Sequence, residues 1–201
     1  MQYRRENETA VRPGRRRDPA VDEAVKAAVL DLLTERGWDG VSMDGVAARA
    51  KVGKASIYRR WSSRVQMVAE TITELNRGQI DPPDTGTLRG DLLVLYRSMT
   101  TALQGPLGTA SRAVLGVLPH EPDLAEAFRA GPLGVWSQAF GDVFTAAVVR
   151  GELDPARLGT VAGEAGPAVL MTRWLVTGQP LDDQLAQDVV DLVAIPLLAP
   201  R

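Results

Sequence analysis

"ARAKVGKASIYRRW", residues 48 to 61, decides how the rest of this chain is read. Two short helical pieces meet at Lys51-Val52-Gly53, and the second carries Lys54, Ser56, Tyr58, Arg59 and Arg60. Ile57 and Trp61 stand four apart, the spacing that puts two side chains on one helix face. With that pair turned inward, Ala55, Ser56, Arg59 and Arg60 lie outward or near it, and Lys54 stands at the helix start. Tyr58 has a ring to pack and a hydroxyl to donate.

Working upstream, Ser42 is a good N-cap for a helix from Met43 to about Ala50. Its Val46 and Ala47, with Val52, supply the apolar surface that Ile57 and Trp61 need, and Trp38 and Met43 close the same small core. "DPAVDEAVKAAVLDLLTERG", residues 18 to 37, precedes it. Asp18 can cap, Pro19 suits the first helical position, and Gly37 can end the helix in a left-handed turn. Val21, Val25, Ala28, Leu32 and Leu33 form its apolar stripe. Three helices with a tight turn before the last make the helix-turn-helix plan, whose final helix enters the major groove of DNA. There Lys54, Ala55, Ser56, Tyr58, Arg59 and Arg60 can reach base edges and phosphates, with Ser42 and Arg64 bonding the flanking backbone.

Charge supports this. The 201 residues sum to −2, yet residues 1–64 hold 14 Lys+Arg against 9 Asp+Glu, and the remainder holds 9 against 16. A basic head on an acidic body points to an anionic partner for the head alone. Residues 1–17, "MQYRRENETAVRPGRRR", have six arginines and no periodicity, as expected of a disordered arm. Arg15, Arg16 and Arg17 can lie in a narrow minor groove or simply solubilise the chain.

Other classes find little support. The chain has no cysteine and one histidine, His120, so thiol chemistry and a zinc-cysteine site are excluded and no metal or cofactor is expected. No paired histidines, nucleophile–base pattern or phosphate-binding glycine loop is visible. An enzyme using isolated carboxylates is the only catalytic alternative. No apolar leader follows the charged N-terminus, and the longest apolar stretch, around residues 165–177, is broken by Pro167 and Arg173, so no membrane span is expected. These features suit a cytoplasmic protein.

The remainder, residues 65–201, reads as helices throughout, for an all-α chain of about nine helices. A fourth runs from near Ser63 to about Gln79. Leu88, Leu92, Leu95, Met99 and Leu103 trace a fifth, closed by Gly105-Pro106, and a sixth spans about Ala110 to Leu118. A seventh covers roughly Leu124 to Arg150, with Gly131-Pro132 expected to kink or split it. Asp154 and Pro155 open an eighth reaching Gly178, and a ninth from about Asp182 stops before Pro196. Glu164, in the eighth, can face a pocket, pair with Arg173 or reach solvent.

Trp136, Phe140 and Phe144 recur every four residues, and Met99, Leu103, Leu115, Met171 and Trp174 can approach them. On spacing alone this set reads as core or as the lining of a ligand pocket. Gly163 and Gly166 allow close helix approach, and Leu185, Val189, Leu192 and Val193 form a stripe. The two helices can therefore face a second copy or pack within their own chain.

"VSMDGVAARAKVGKASIYRRWSSR", residues 41–64, resembles the DNA-binding domain of the TetR family of bacterial transcriptional repressors. The resemblance covers residues 18 to about 68, from the capped second helix to the basic residue opening the fourth. It departs at Lys51, where the family usually has Gly, and at Gly53, where it has Ser or Thr. A left-handed lysine costs roughly 1 kcal/mol relative to glycine. The resemblance implies a helix-turn-helix domain over residues 18–64 and an effector-binding and dimerisation domain over residues 65–201. It implies a homodimer on pseudo-palindromic double-stranded operator DNA, joined through the last two helices. It also implies an unidentified small, mostly apolar effector between the fifth, sixth and seventh helices. A DNA-binding protein without effector control is the alternative.

Overall fold

Gly37, with φ +67°, ends the first helix as its position in the sequence suggests. The computed structural model describes residues 19–199, so the Asp18 cap and the arginines at 15–17 lie outside the described residues. Helix α1 (Pro19–Arg36) buries Val25, Ala28, Val29, Leu32 and Leu33, one stripe at helical spacing. Helix α2 (Met43–Arg49) starts at Ser42, whose hydroxyl accepts the Gly45 N–H at 3.0 Å. Lys51 takes the left-handed conformation, φ 55°, the one positive-φ residue other than glycine among the described residues. The turn is held by Val52 N–H donating to the Ala47 carbonyl at 3.0 Å, so the lysine is tolerated where glycine would be unstrained. Gly53 caps α3 (Lys54–Arg60) with extended backbone and no side-chain bond. Trp61 is the residue after α3, its N–H bonded to the Ile57 carbonyl and its indole N–H to Glu70 at 2.8 Å.

Ser63 caps α4 (Arg64–Arg77), and Thr87 caps α5 (Leu88–Gln104). The connector between them is tied down at Asp91. That buried carboxylate accepts from the Thr85 N–H and hydroxyl, both at 2.8 Å, and from Arg150 at 2.9 Å. Burial alone would raise its pKa, but these donors reverse the effect and hold it below the usual carboxylate value. Helix α6 (Pro106–Leu115) starts four residues earlier than the sequence suggested, because Pro106 occupies the first position.

The seventh rod is neither split nor stopped at Gly131-Pro132. Helix α7 (Pro122–Phe128) widens into a π-helical turn (Arg129–Leu133) and continues as α8 (Gly134–Val149). Proline has no N–H and crowds the carbonyl four residues back, and a wider turn accommodates both. Asp154 caps only a single 3₁₀ turn (Pro155–Arg157), and the next helix, α9 (Val161–Thr172), starts from Thr160. A second π turn (Arg173–Thr177) follows, ending at left-handed Gly178. The last rod does not end before Pro196. Helix α10 (Asp183–Asp188) passes through a third π turn (Val189–Ala194) into α11 (Ile195–Leu198), again just where a proline must fit. Counting α7–α8 and α10–α11 as continuous gives nine rods, with no strand among the described residues.

Two apolar cores result. One joins α1–α4 to α6 and α7, with Ile57 and Val46 at its centre and Leu107, Val114 and Phe128 from the body. It crosses residue 64, so head and body share packing. The second lies among α5, α8, α9, α10 and α11.

Candidate nucleic-acid interface

Ile57 is fully buried, which fixes the roll of α3 and leaves Lys54, Ala55, Tyr58 and Arg59 exposed. Ser56 is half-buried and accepts a hydrogen bond from Arg59 at 3.3 Å. Asp44, on the exposed side of α2, holds two of these groups. Lys54 pairs with it at 2.6 Å, and the Tyr58 hydroxyl donates to it at 3.2 Å. The hydrogen bond from Lys54, aided by that from Tyr58, holds the Asp44 carboxyl below its ordinary range, and the same pair raises Lys54. At neutral pH the cluster is therefore charged, and an anion at this face would compete with Asp44 for both donors.

Two arginines are placed differently from the sequence expectation. Arg60 is turned back to α1, paired with Asp22, and stacks 5.9 Å from the Trp61 ring. It belongs to the seam between α1 and α3 rather than the outward face. Its side chain is 18% exposed. Arg60→Ala is thus expected to lower the thermal midpoint by several degrees without changing which sequence is bound, whereas Arg59→Ala should change base preference and leave the midpoint within about 2 °C. Melting curves and competition between duplexes separate the two; a changed preference in Arg60→Ala would refute the assignment.

Arg64 is half-buried at the head–body boundary. Its guanidinium lies 4.1 Å from the Trp38 ring centre, donates to the Val41 carbonyl at 3.4 Å and stands 3.7 Å from Glu121. Trp38 completes the seam by donating its indole N–H to Glu121 at 3.1 Å. Asp22, Asp44 and Glu121 escaped sequence reasoning because each acts across a long stretch of chain, and no local pattern marks such partners.

Behind the head, Met99, Leu103, Leu115, Trp136, Met171 and Trp174 line one cavity of about 60 Å³, with Asn76 of α4 in its wall. Phe140 and Phe144 do not line it. They pack beside Tyr96, ring centres 5.3 Å (Tyr96–Phe140) and 6.2 Å (Phe140–Phe144) apart, inside the second core. His120 is exposed in a short turn, and no cluster of metal-binding side chains occurs among the described residues.

Residues 26–71 match the family model of bacterial regulatory proteins of the tetR family, and residues 82–193 match the Tetracyclin repressor-like C-terminal domain. The chain belongs to the TetR family. It is similar to the uncharacterized HTH-type transcriptional regulator Rv1556 of Mycobacterium tuberculosis, 32% identical over 172 residues, 86% of this chain and 85% of that one. The DNA-binding transcriptional repressor TetR of Mycobacteroides abscessus is 30% identical over 182 residues, 88% and 93% of the two chains. Among solved structures, the TetR family transcription regulator SCO0332 superposes with a TM-score of 0.72 at 24% identity, over 90% of this chain and 99% of that one. The protein is a DNA-binding transcriptional regulator, not an enzyme, and no described helix is long and apolar enough to cross a membrane.

The TetR-family dimer reading meets a correction in its residues. Leu185 and Val189 are buried in the chain's own core, Val189 only 2% exposed. Gly163 and Gly166 also face inward: a Cβ at Gly163 would lie 3.1 Å from Phe144, and one at Gly166 would lie 1.9 Å from the Tyr96 hydroxyl oxygen. Leu192 is 72% exposed and Val193 half-buried. The π turn explains the split. The buried positions of this rod are Leu185, Ala186, Val189, Val190, Ala194 and Leu198, and the wider turn over Val189–Ala194 delays the next buried residue to Ala194, so Leu192 leaves the face that a regular helix would give it. Glu164 is exposed, with no ion pair to Arg173.

Proposed function

We propose that the protein is a homodimeric repressor that binds a pseudo-palindromic operator and releases it when a small, mostly apolar effector enters the body. The observation that carries the dimer is the exposed apolar surface on two rods that pack on each other. Val161 and Val176 are each 79% exposed on the eighth rod, and Leu192 and Leu197 face solvent on the last. Such side chains on neighbouring helices favour burial against a second copy in a two-fold four-helix interface. A recognition helix of seven residues reads few base pairs, and a second copy doubles the site.

The effector reading rests on the cavity that touches α4. Ligand pockets usually span about 300–1,000 Å³, so a cavity of about 60 Å³ must open to take an effector. Opening would displace Asn76 and with it α4, which starts at Arg64 in the head–body seam. Release requires that the effector prefer this displaced state.

Selection of bound fragments from source genomic DNA, followed by sedimentation of protein and complex, tests the reading. Expected are a dimer at micromolar concentration, half-sites about one helical turn apart or slightly more, and log affinity falling linearly with log salt. A monomer in solution, or no enriched fragment, would overturn it.

A further inference from the structure

A groove of about 510 Å³ runs outside the bundle between the C-terminal end of α4, the 78–83 connector and α8. Ile80, Pro83, Val135, Ala139 and Ala146 make its walls apolar. It is distinct from the inner cavity, with which it shares no lining residue. Its volume falls within the range of sites for small molecules, without any opening.

Its polar groups are few and unequal. Asp142 already accepts a hydrogen bond from Gln138 at 2.7 Å. Arg77 borders the same apolar walls, is exposed, and has no hydrogen-bond or ion-pair partner for its guanidinium among the described residues. A guanidinium beside apolar surface suits an anionic group attached to an apolar body. We propose that this groove is a binding site for an amphiphile with an apolar body and one anionic headgroup, the headgroup held by Arg77.

The position gives such a ligand leverage on the head. At the groove's edge, α4 lies directly against the π turn: a Cβ at Gly131 would stand 2.4 Å from the Thr73 hydroxyl, and Asn76 donates to the Pro132 carbonyl at 3.4 Å. Thr73 and Gly131 both line the groove, which continues along α4 toward Ser63 as a second trough of about 510 Å³. A molecule seated there bears on the α4–π-turn contact from outside. The site thereby extends the effector reading to a second, preformed location.

The test uses the full chain without DNA and dansyl-labelled undecanoate, whose emission rises in apolar sites, displaced by decanoate, decanol or decylammonium. Expected is one saturable site per protomer, with decanoate displacing best. Arg77→Gln, an exposed change that leaves packing intact, should weaken decanoate about tenfold and leave decanol unchanged. Ala139→Trp, or Val135→Trp if that variant melts early, should fill the groove and abolish binding, whereas Trp136→Ala at the inner cavity should not alter it. No saturable binding by the parent, equal binding by Arg77→Gln, or loss only in Trp136→Ala would each overturn the proposal. Operator affinity is measured separately. Binding that leaves operator affinity unchanged would remove the effector role from this groove, while the site itself and the inner-cavity reading stand.

Discussion

Alanine at Lys54, Tyr58 and Arg59 together is expected to lower operator affinity by about a thousandfold or more, with the thermal midpoint little changed. All three side chains are exposed on the element that the buried Ile57 orients, so their removal leaves no void. Each lost base or phosphate contact weakens binding by roughly one order of magnitude, and a dimer loses each contact twice. The variant also leaves Asp44 without its Lys54 and Tyr58 partners, facing the phosphates as an uncompensated negative charge. Stability changes little because exposed ion pairs contribute little. Fluorescence anisotropy at several salt concentrations checks this, and the slope of log affinity against log salt should flatten as phosphate contacts disappear. Parent-like affinity for every duplex would remove α3 from the interface.

Val189→Asp and Leu192→Asp, three residues apart, are expected to fail in different ways. Val189 is inside the second core, so a carboxylate there has no partner and the variant should lose about 3 kcal/mol or more, enough to leave much of it unfolded. Leu192 faces solvent within one chain, so its variant should fold, keep its helical circular dichroism, and sediment as a monomer with greatly weakened operator binding. Denaturant titration and sedimentation velocity distinguish them. A dimeric Leu192→Asp variant would move the interface off the last rod, and a stable Val189→Asp variant would contradict its burial.

The head was legible in the sequence because its determinants are local. A capping serine, an inward Ile57 and a tight turn are each specified within a few residues, and even the departure at Lys51 keeps the left-handed turn. The body was legible as helices but not in which way they face. Leu185, Val189, Leu192 and Val193 share a face at regular helical spacing, and one π turn separates them. Pro132 and Pro196 hint at such turns, yet a proline alone does not say whether a rod breaks, kinks or widens. Gly163 and Gly166 signalled close approach without naming the neighbour, which is Phe144 and Tyr96 of the same chain. Asp154-Pro155 carries a stronger local capping signal than Thr160, yet it opens only one turn, and the helix proper starts from Thr160. Arg60 and Arg64 look free in the sequence because their partners, Asp22 and Glu121, are distant along the chain.

The seam at Trp38 also gives the molecule an optical reporter of its own posture. The indole is 3% exposed, covered by the Arg64 guanidinium and anchored to Glu121, so its surroundings are set by both halves of the chain at once. If the head swings from the body, that ring enters water and its emission moves to longer wavelength. With Trp61, Trp136 and Trp174 replaced by phenylalanine, Trp38 would display head position in real time, without an attached dye, as DNA is added or withdrawn.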